Sequence, residues 1–352
     1  MTNSDDDSRS IATLRILDAA INRAGEGLRV VEDFARLSLN DSYLSQLTKQ
    51  LRHGLTKACS LLDKEQLLAA RDTLADVGTT VGLASEYART ATSQVLLANF
   101  ARVQQSLRTI EEYGKTLSED LARQIEQLRY QSYTLEKALL ATWSNSLNLQ
   151  DVQIYVLLDG KGSPEEFRSL VRQLRDGGAN LFQLRDKQLE PRELLGRATI
   201  LREELQPHGV RWLLNDRADL ALAAAADGVH LGQEDLDLAT ARRILGPRKL
   251  IGLSTHSIEQ ARAAVLAGAD YIGVGPVFPS QTKSFTQFAG LELVREVAAE
   301  ISLPAFAIGG IDETNVALVR KAGLQRAALS GAVCRSVDPA QSLRAIRAAL
   351  LD

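Results

Sequence analysis

A chain of 352 residues, 45% hydrophobic and 24% charged, is long enough for two domains and too apolar for global disorder. A net charge of −3 excludes a surface built to wrap nucleic acid and leaves room only for a local basic pocket. No apolar run reaches the length of a membrane span. The two cysteines, Cys59 and Cys334, lack metal-ligand spacing and read as small core residues of a chain kept reduced. The start, MTNSDDDSRS, is acidic and polar where a secretory leader is basic and then apolar, so residues 1–10 are expected as a frayed tail on a cytoplasmic protein.

Residues 11–146 read as an all-helical domain. Leu14, Leu17, Ile21, Ala24, Leu28 and Val31 recur at steps of three and four, the period of one helix face. Further helical patterns run through Tyr43–Leu62 and Ser85–Trp143, and Ala70–Thr80 between them reads as a loop of turn and capping residues. The turn-forming stretch Ser144–Gln150 places the domain boundary, with the second domain at 147–352. From there short apolar runs alternate with helical patterns: Gln153–Leu158, Asn180–Leu184, Arg211–Leu214, Gly228–Leu231, Leu250–Leu253, Tyr271–Val274, Pro304–Ile308 and Ala327–Leu329. Eight strand-then-helix units of this compactness predict an α/β fold, a (β/α)8 TIM barrel preceded by the helical domain. An open doubly wound sheet is the alternative.

Catalysis in such barrels occurs at the carboxyl ends of the strands. There the sequence places Gln183-Leu184-Arg185-Asp186-Lys187, Asn215-Asp216-Arg217, the segment Asp227–Asp235, Ser254-Thr255-His256, Gly275–Lys283, Gly309-Gly310 and Ser330-Gly331. Strand alternation sends Gln183, Arg185 and Lys187 to one side. Arg185, Lys187 and Lys283 suit a polyphosphate, and Asp216 and Asp235 are hard oxygen ligands of the kind Mg²⁺ takes together with substrate phosphates. Hydroxyls at Ser280 and Thr282, with backbone amides at Gly310 and the Ser330-Gly331 turn, suit a phosphate monoester. Two phosphorylated substrates follow as an expectation. No Cys–His pair or Ser–His–Asp set argues for covalent catalysis. Taken singly, Asp216 also suits a helix cap, and His230 and His256 suit loop-fixing hydrogen bonds better than proton transfer. His53 and His208 read as surface residues.

In order along the chain, these strand-end motifs resemble those of thiamine-phosphate synthases, over about Asp151–Asp352. The resemblance implies condensation of hydroxymethylpyrimidine diphosphate with a thiazole phosphate, through a pyrimidine-methyl cation formed as pyrophosphate departs. It implies that Gln183, Leu184, Arg185, Asp186, Lys187, Asn215, Ser254 and Lys283 hold the pyrimidine diphosphate, with Arg185, Lys187 and Lys283 catalytic. It further implies that Asp216 and Asp235 bind Mg²⁺ and that Ser280, Gln281, Thr282, Gly310, Ser330 and Gly331 hold the thiazole phosphate. Two positions depart from the family's pattern: Ser280 stands where Thr is frequent, and Gly331 where Ser is usual. The second loses a hydroxyl, a change of about 1 kcal/mol in phosphate binding.

The helical domain contains a repeat. Arg23, Leu28-Arg29, Val31, Glu32-Asp33 and Phe34 recur in order as Arg102, Leu107-Arg108, Ile110, Glu111-Glu112 and Tyr113. Two such helices are expected to face each other about a pseudo-twofold. Asn22, Glu26, Arg29 and Asp33 form one polar stripe, and Gly25 and Gly27 sit mid-helix, where close approach of a ligand or helix accounts for them. The alternative is a solvated, salt-bridged face. On the stretches Asn22–Asp33, Arg71–Gly78 and Asn99–Arg108, the segment Ile11–Leu140 resembles a helical domain fused to some of these synthases and linked with an alternative hydroxymethylpyrimidine phosphate kinase. That resemblance nominates Arg29, Asp76, Arg102 and Arg108 for phosphate or Mg²⁺ contacts, with ATP required only if the domain is a kinase. No P-loop pattern is present. A non-catalytic dimerising or regulatory helical domain, and a tautomerase-like or regulatory barrel, remain as alternatives; small phosphorylated molecules, not nucleic acid or membrane, are the expected partners, with homo-oligomerisation open.

Overall fold

A computed structural model describes residues 3–77, 88–279 and 289–351. The chain divides into two compact units, 1–140 and 141–352. Among the described residues no helix is long and apolar enough to cross a membrane.

Unit 1 is helical. Helix α1 spans Asn3–Asp33, a π-helical turn follows at Phe34–Ser38, and α2 (Ser42–Cys59), α3 (Lys64–Ala70), α4 (Thr92–Gly114) and α5 (Glu119–Asn148) complete the order, the last running into unit 2. The described helix thus begins at Asn3, inside the stretch expected as a frayed tail. α1 packs on α4 through fully buried Leu28, Val31, Val103, Leu107 and Ile110. Gly27 lets the backbones approach: a Cβ there would lie 2.7 Å from the Val103 side chain and 3.3 Å from the Asn99 carbonyl oxygen. The predicted repeat has a structural counterpart. Buried Glu32 pairs with Arg52 of α2 at 2.8 Å and with Arg29, and buried Glu111 pairs with Arg129 of α5 at 2.8 Å and with Arg108.

Three helix boundaries differ from expectation, the first being that residues 88–91, inside the pattern read from Ser85, are not helical and α4 begins at Thr92. The pattern read through Ser85–Trp143 is broken at residues 115–118, where Ser118 Oγ accepts from the Leu121 amide. The stretch Ser144–Asn148, read as a turn, is helix. Its polar side chains find partners within unit 2: Asn145 Nδ2 donates to Asp270 at 3.0 Å, and Ser146 Oγ donates to Thr142 and Ser302 carbonyls. The division between units accordingly falls at Leu140/Ala141.

Unit 2 is a closed parallel barrel in the order β1 to β8. Its strands are β1 (Ile154–Leu158), β2 (Leu181–Leu184), β3 (Arg211–Asn215), β4 (Gly228–Leu231), β5 (Leu250–Thr255), β6 (Tyr271–Val274), β7 (Ala305–Ile308) and β8 (Ala327–Leu329), closed by pairing of Ile154 with Ala327. The covering helices are α6 (Pro164–Asp176), α7 (Pro191–Leu205), α8 (Ala218–Ala223), α9 (Leu238–Leu245), α10 (Ile258–Ala267), α11 (Gly290–Glu300), α12 (Val316–Lys321), α13 (Gly331–Cys334) and α14 (Pro339–Leu351). α6 opens on a reciprocal cap between Ser163 and Glu166. The barrel interior holds Tyr155, Tyr271 and Phe306, whose ring centroids lie 5.4–5.7 Å apart in edge-to-face contact. Gly252 makes this possible: a Cβ there would lie 2.0 Å from the Tyr271 ring. Cys59 and Cys334 are half-buried free thiols, and burial pushes both up to about 12.

Candidate active site at the barrel mouth

The carboxyl ends of β2 to β5 bring several of the predicted residues together. β2 ends at Leu184, so Gln183 lies inside the barrel while Arg185 and Lys187 sit on the loop beyond it. Gln183 is 1% exposed; its Nε2 donates to Tyr155 Oη, and its Oε1 is buried with no hydrogen-bond partner among the described residues. Arg185 is half-buried, forms no side-chain hydrogen bond or ion pair among the described residues, and lies near enough to His230 for its charge to lower that imidazole. Lys187 reaches Asp216 at 3.1 Å.

The carboxylates Asp216 and Asp235 meet. Asp216 follows β3 with φ at +62°, a left-handed conformation rare for a non-glycine residue, and its amide donates to the His230 carbonyl at 2.8 Å. Burial, and then the hydrogen bond with Asp235, raise the Asp216 carboxyl above its ordinary range. Burial also pushes Asp235 upward, but the bond to Asp216, the Gly232 amide at 2.6 Å and nearby Lys187 outweigh it and hold it low. Each carboxylate opposes ionisation of the other, so a positive charge between them is favoured. A divalent cation supplies that charge, so the donor set fits Mg²⁺ bound by two carboxylates and substrate oxygens. Among the described residues no larger cluster of His, Cys, Asp and Glu is present.

Below the mouth, a chain of hydrogen bonds crosses the interior. Tyr155 Oη lies 2.9 Å from Tyr271 Oη, Tyr271 Oη lies 2.9 Å from His230 Nδ1, and His230 Nε2 lies 2.9 Å from Ser254 Oγ. Burial lowers His230 to about 4, so the ring is neutral at physiological pH. His230 is thus a hydrogen-bonding residue, and His256 Nδ1 likewise contacts the Gly275 carbonyl. The tyrosines escaped the sequence reading because each looks like barrel filler. Their strand phase was the available signal, since Tyr155, Gln183, Tyr271 and His230 all face inward.

Other nominated residues stand differently. Asp186 is turned to structure: its carboxylate accepts from the amides of Gly160, Gln188 and Leu189 at 2.8–3.1 Å. The Leu184 side chain is core, 1% exposed. Asn215 stands half-buried at the end of β3 with no side-chain hydrogen bond among the described residues. Gly309 and Gly310 have φ of +103° and +62°, a turn that only glycine adopts freely, and a Cβ on Gly310 would lie 2.3 Å from the Pro279 carbonyl oxygen. Ser330 and Gly331 open the short helix α13. Ser280, Gln281, Thr282 and Lys283 lie outside the described residues, as does Gly78.

In unit 1, Arg29 and Arg108 are engaged in ion pairs with the acids three and four residues on, and both are about half exposed. Their nomination as free phosphate ligands meets that competition. Arg71, in the matched loop motif, makes a bidentate pair with Asp18 at 2.7 Å, and Asp76 is exposed. Arg102 instead lines a cleft of about 310 Å³ with Arg23, Gln105, Ser106 and Thr109. Arg23, which was not nominated, is the repeat counterpart of Arg102, and neither guanidinium has an ion pair among the described residues.

Comparison with known proteins identifies the family. The family described as "Thiamine monophosphate synthase" matches residues 154–333, and the "ThiD2 family" matches residues 15–138. The thiamine-phosphate synthase of Rhodopirellula baltica is 44% identical over 342 residues, covering 95% of this chain and 90% of its own. That of Synechocystis sp. is 43% identical over 332 residues and 94% of each chain. Among solved structures, a thiamine phosphate pyrophosphorylase from Pyrococcus furiosus is 33% identical with a TM-score of 0.51, covering 57% of this chain and 96% of that one. With residues 154–333 matched and relatives similar along nearly the whole length, this chain belongs to the thiamine-phosphate synthase family and carries a ThiD2-family region at its N-terminal side.

Proposed function

We propose that unit 2, as a cytoplasmic enzyme, condenses hydroxymethylpyrimidine diphosphate with a hydroxyethylthiazole phosphate to give thiamine phosphate and pyrophosphate. The observation that supports this most is one mouth lined by Arg185, which has no ion pair among the described residues, by Lys187 beside the carboxylates Asp216 and Asp235, and by Asn215 and Ser254. Gln183 and Asn215 orient the pyrimidine. Asp216 and Asp235 would hold Mg²⁺, which when bound neutralises charge on the diphosphate. The bond between the pyrimidine methylene carbon and the diphosphate oxygen breaks, and its electron pair leaves with pyrophosphate. Arg185, Lys187, Lys283 and Ser254 meet the charge that grows there, where fixed donors act without reorganisation. The thiazole nitrogen then gives its lone pair to the methylene cation. Ser280, Gln281, Thr282, Gly310, Ser330 and Gly331 hold the thiazole phosphate close enough for capture to outrun water.

The test supplies purified protein with both substrates and Mg²⁺ and assays thiamine phosphate. Product is expected, and Thr282→Val is expected to raise the KM for the thiazole more than that for the pyrimidine. No product with ready-made diphosphate would favour the tautomerase-like or regulatory barrel.

A second reading concerns unit 1, which the ThiD2 match and the Arg23–Arg102 cleft support as a hydroxymethylpyrimidine phosphate kinase. Two guanidiniums facing one cleft suit a phosphate monoester. Pyrimidine monophosphate should then yield thiamine phosphate only when ATP is added, and Arg102→Ala should remove that route alone. Product from the diphosphate but never from the monophosphate would make unit 1 an accessory domain.

A further inference from the structure

The buried hydrogen-bond chain joins two ends of the site that have different chemical tasks. One end is Gln183, whose amide oxygen is buried without a partner among the described residues. The other is Ser254, half-buried at the end of β5. Between them lie Tyr155, Tyr271 and His230, all buried, with 2.9 Å between successive polar atoms from Tyr155 Oη to Ser254 Oγ.

Each intermediate group has one proton to give and one acceptor position in use, so the direction of the chain is set at its ends. An N–H donor on the Gln183 oxygen fixes the amide with its nitrogen towards Tyr155. Tyr155 then donates to Tyr271, and Tyr271 donates to His230 Nδ1. That makes Nε2 the protonated nitrogen of the neutral imidazole, and it donates to Ser254 Oγ. The Ser254 proton is left to point outward, towards a phosphate oxygen. Turned the other way, the amide reverses every bond, and the Ser254 proton points into the barrel. Donors in series also polarise one another, which strengthens the terminal bond. Gly252 and Gly273 keep the route open: a Cβ on the first would collide with the Tyr271 ring, and one on the second would lie 3.4 Å from His230 Cε1.

We propose that Tyr155, Tyr271 and His230 are positioning residues that couple recognition of an amine-bearing heterocycle at Gln183 to hydrogen-bond donation by Ser254 to the departing diphosphate. This rests on the function proposed above for the mouth. The substrate's amine thereby aims a donor at its own leaving group, and a ligand that presents only an acceptor at that position does not.

The coupling is read by calorimetry on the full chain, as the affinity for magnesium pyrophosphate with and without saturating hydroxymethylpyrimidine. In the wild type the pyrimidine should tighten pyrophosphate binding on the order of tenfold. Tyr271→Phe keeps the ring and removes the link, so the tightening should fall to within about twofold of none, while each ligand alone binds within about threefold of the wild type. Tyr155→Phe should do the same by breaking the preceding link, and serves if the first variant is unstable. Condensation should show a lowered kcat with little change in KM. Undiminished tightening in a folded variant would overturn the proposal, as would wild-type protein that binds both ligands independently. Wild-type protein that binds neither would overturn the assignment of the mouth itself, and the coupling with it.

Discussion

Asp216 is held above the ordinary carboxylate range by burial and then by Asp235, which fixes the sign of the site's pH response. Burial and Asp235 raise the Asp216 carboxyl, so protons compete with metal at higher pH than for an ordinary aspartate. Mg²⁺ affinity measured by titration calorimetry should therefore still be rising with pH where an ordinary aspartate is already fully ionised, and then level off. Asp235→Ala should abolish condensation with the far-ultraviolet circular dichroism unchanged; near-normal turnover would remove it as a ligand. Asp186→Ala tests the opposite kind of carboxylate. Losing three amide donors should cost about 2 kcal/mol of stability and leave Mg²⁺ affinity unchanged. The sequence distinguished charged residues at strand ends, because a cation or carboxylate beyond an apolar run has few structural reasons to be there. It could not separate Asp186 from its neighbours, since the amides that hold it come partly from the loop after β1. Nor could it see Tyr155 and Tyr271 as a pair, because their contact joins residues 116 positions apart.

At the scale of elements, the strands were legible to within about two residues because burial on both faces gives unbroken apolar runs. Helix ends were less so. Gly114, Ser118 and the acids Glu119 and Asp120 carry the signals of a helix stop and a new start, but leucines at helical spacing on both sides masked the break. Packing of elements yields two further predictions. Gly252→Ala places a methyl where the Tyr271 ring stands, and that ring is wholly buried. It should lower the melting temperature and the kcat together, whereas Gly196→Ala, with open space around it, should do neither. On the outside of the barrel, Glu204 of α7 binds Arg168 at 2.6 Å and Arg172 at 2.7 Å from α6. The Arg172 hydrogen bond leads in holding Glu204 down to about 2. Its stabilising effect is therefore present above the unfolded value, about 4.3, and is lost as pH falls through the folded one. Glu204→Gln should cost on the order of 2 kcal/mol near neutrality, and the deficit in chemical denaturation should shrink towards about pH 2.

For the whole molecule, the family match along nearly the full length joins two units that the sequence already distinguished by their periodicity, helical first and alternating afterwards. Ser and Asn in Ser144–Asn148 read as turn formers, whereas the stretch is helix and the Asn145 and Ser146 side chains find partners within unit 2. Inside unit 1 the duplicated bridge offers a comparison of its own. Glu32 and Glu111 occupy equivalent places, yet the Arg129 side chain is 10% exposed and that of Arg52 is 28%. Leaving a buried arginine unpaired is the costlier change, so Glu111→Gln should lower the melting temperature more than Glu32→Gln. Two copies of one motif in a single chain, read at one temperature and in one buffer, thus serve as each other's control. Whatever differs between the twin substitutions measures the surroundings of the motif, and whatever they share belongs to the motif itself.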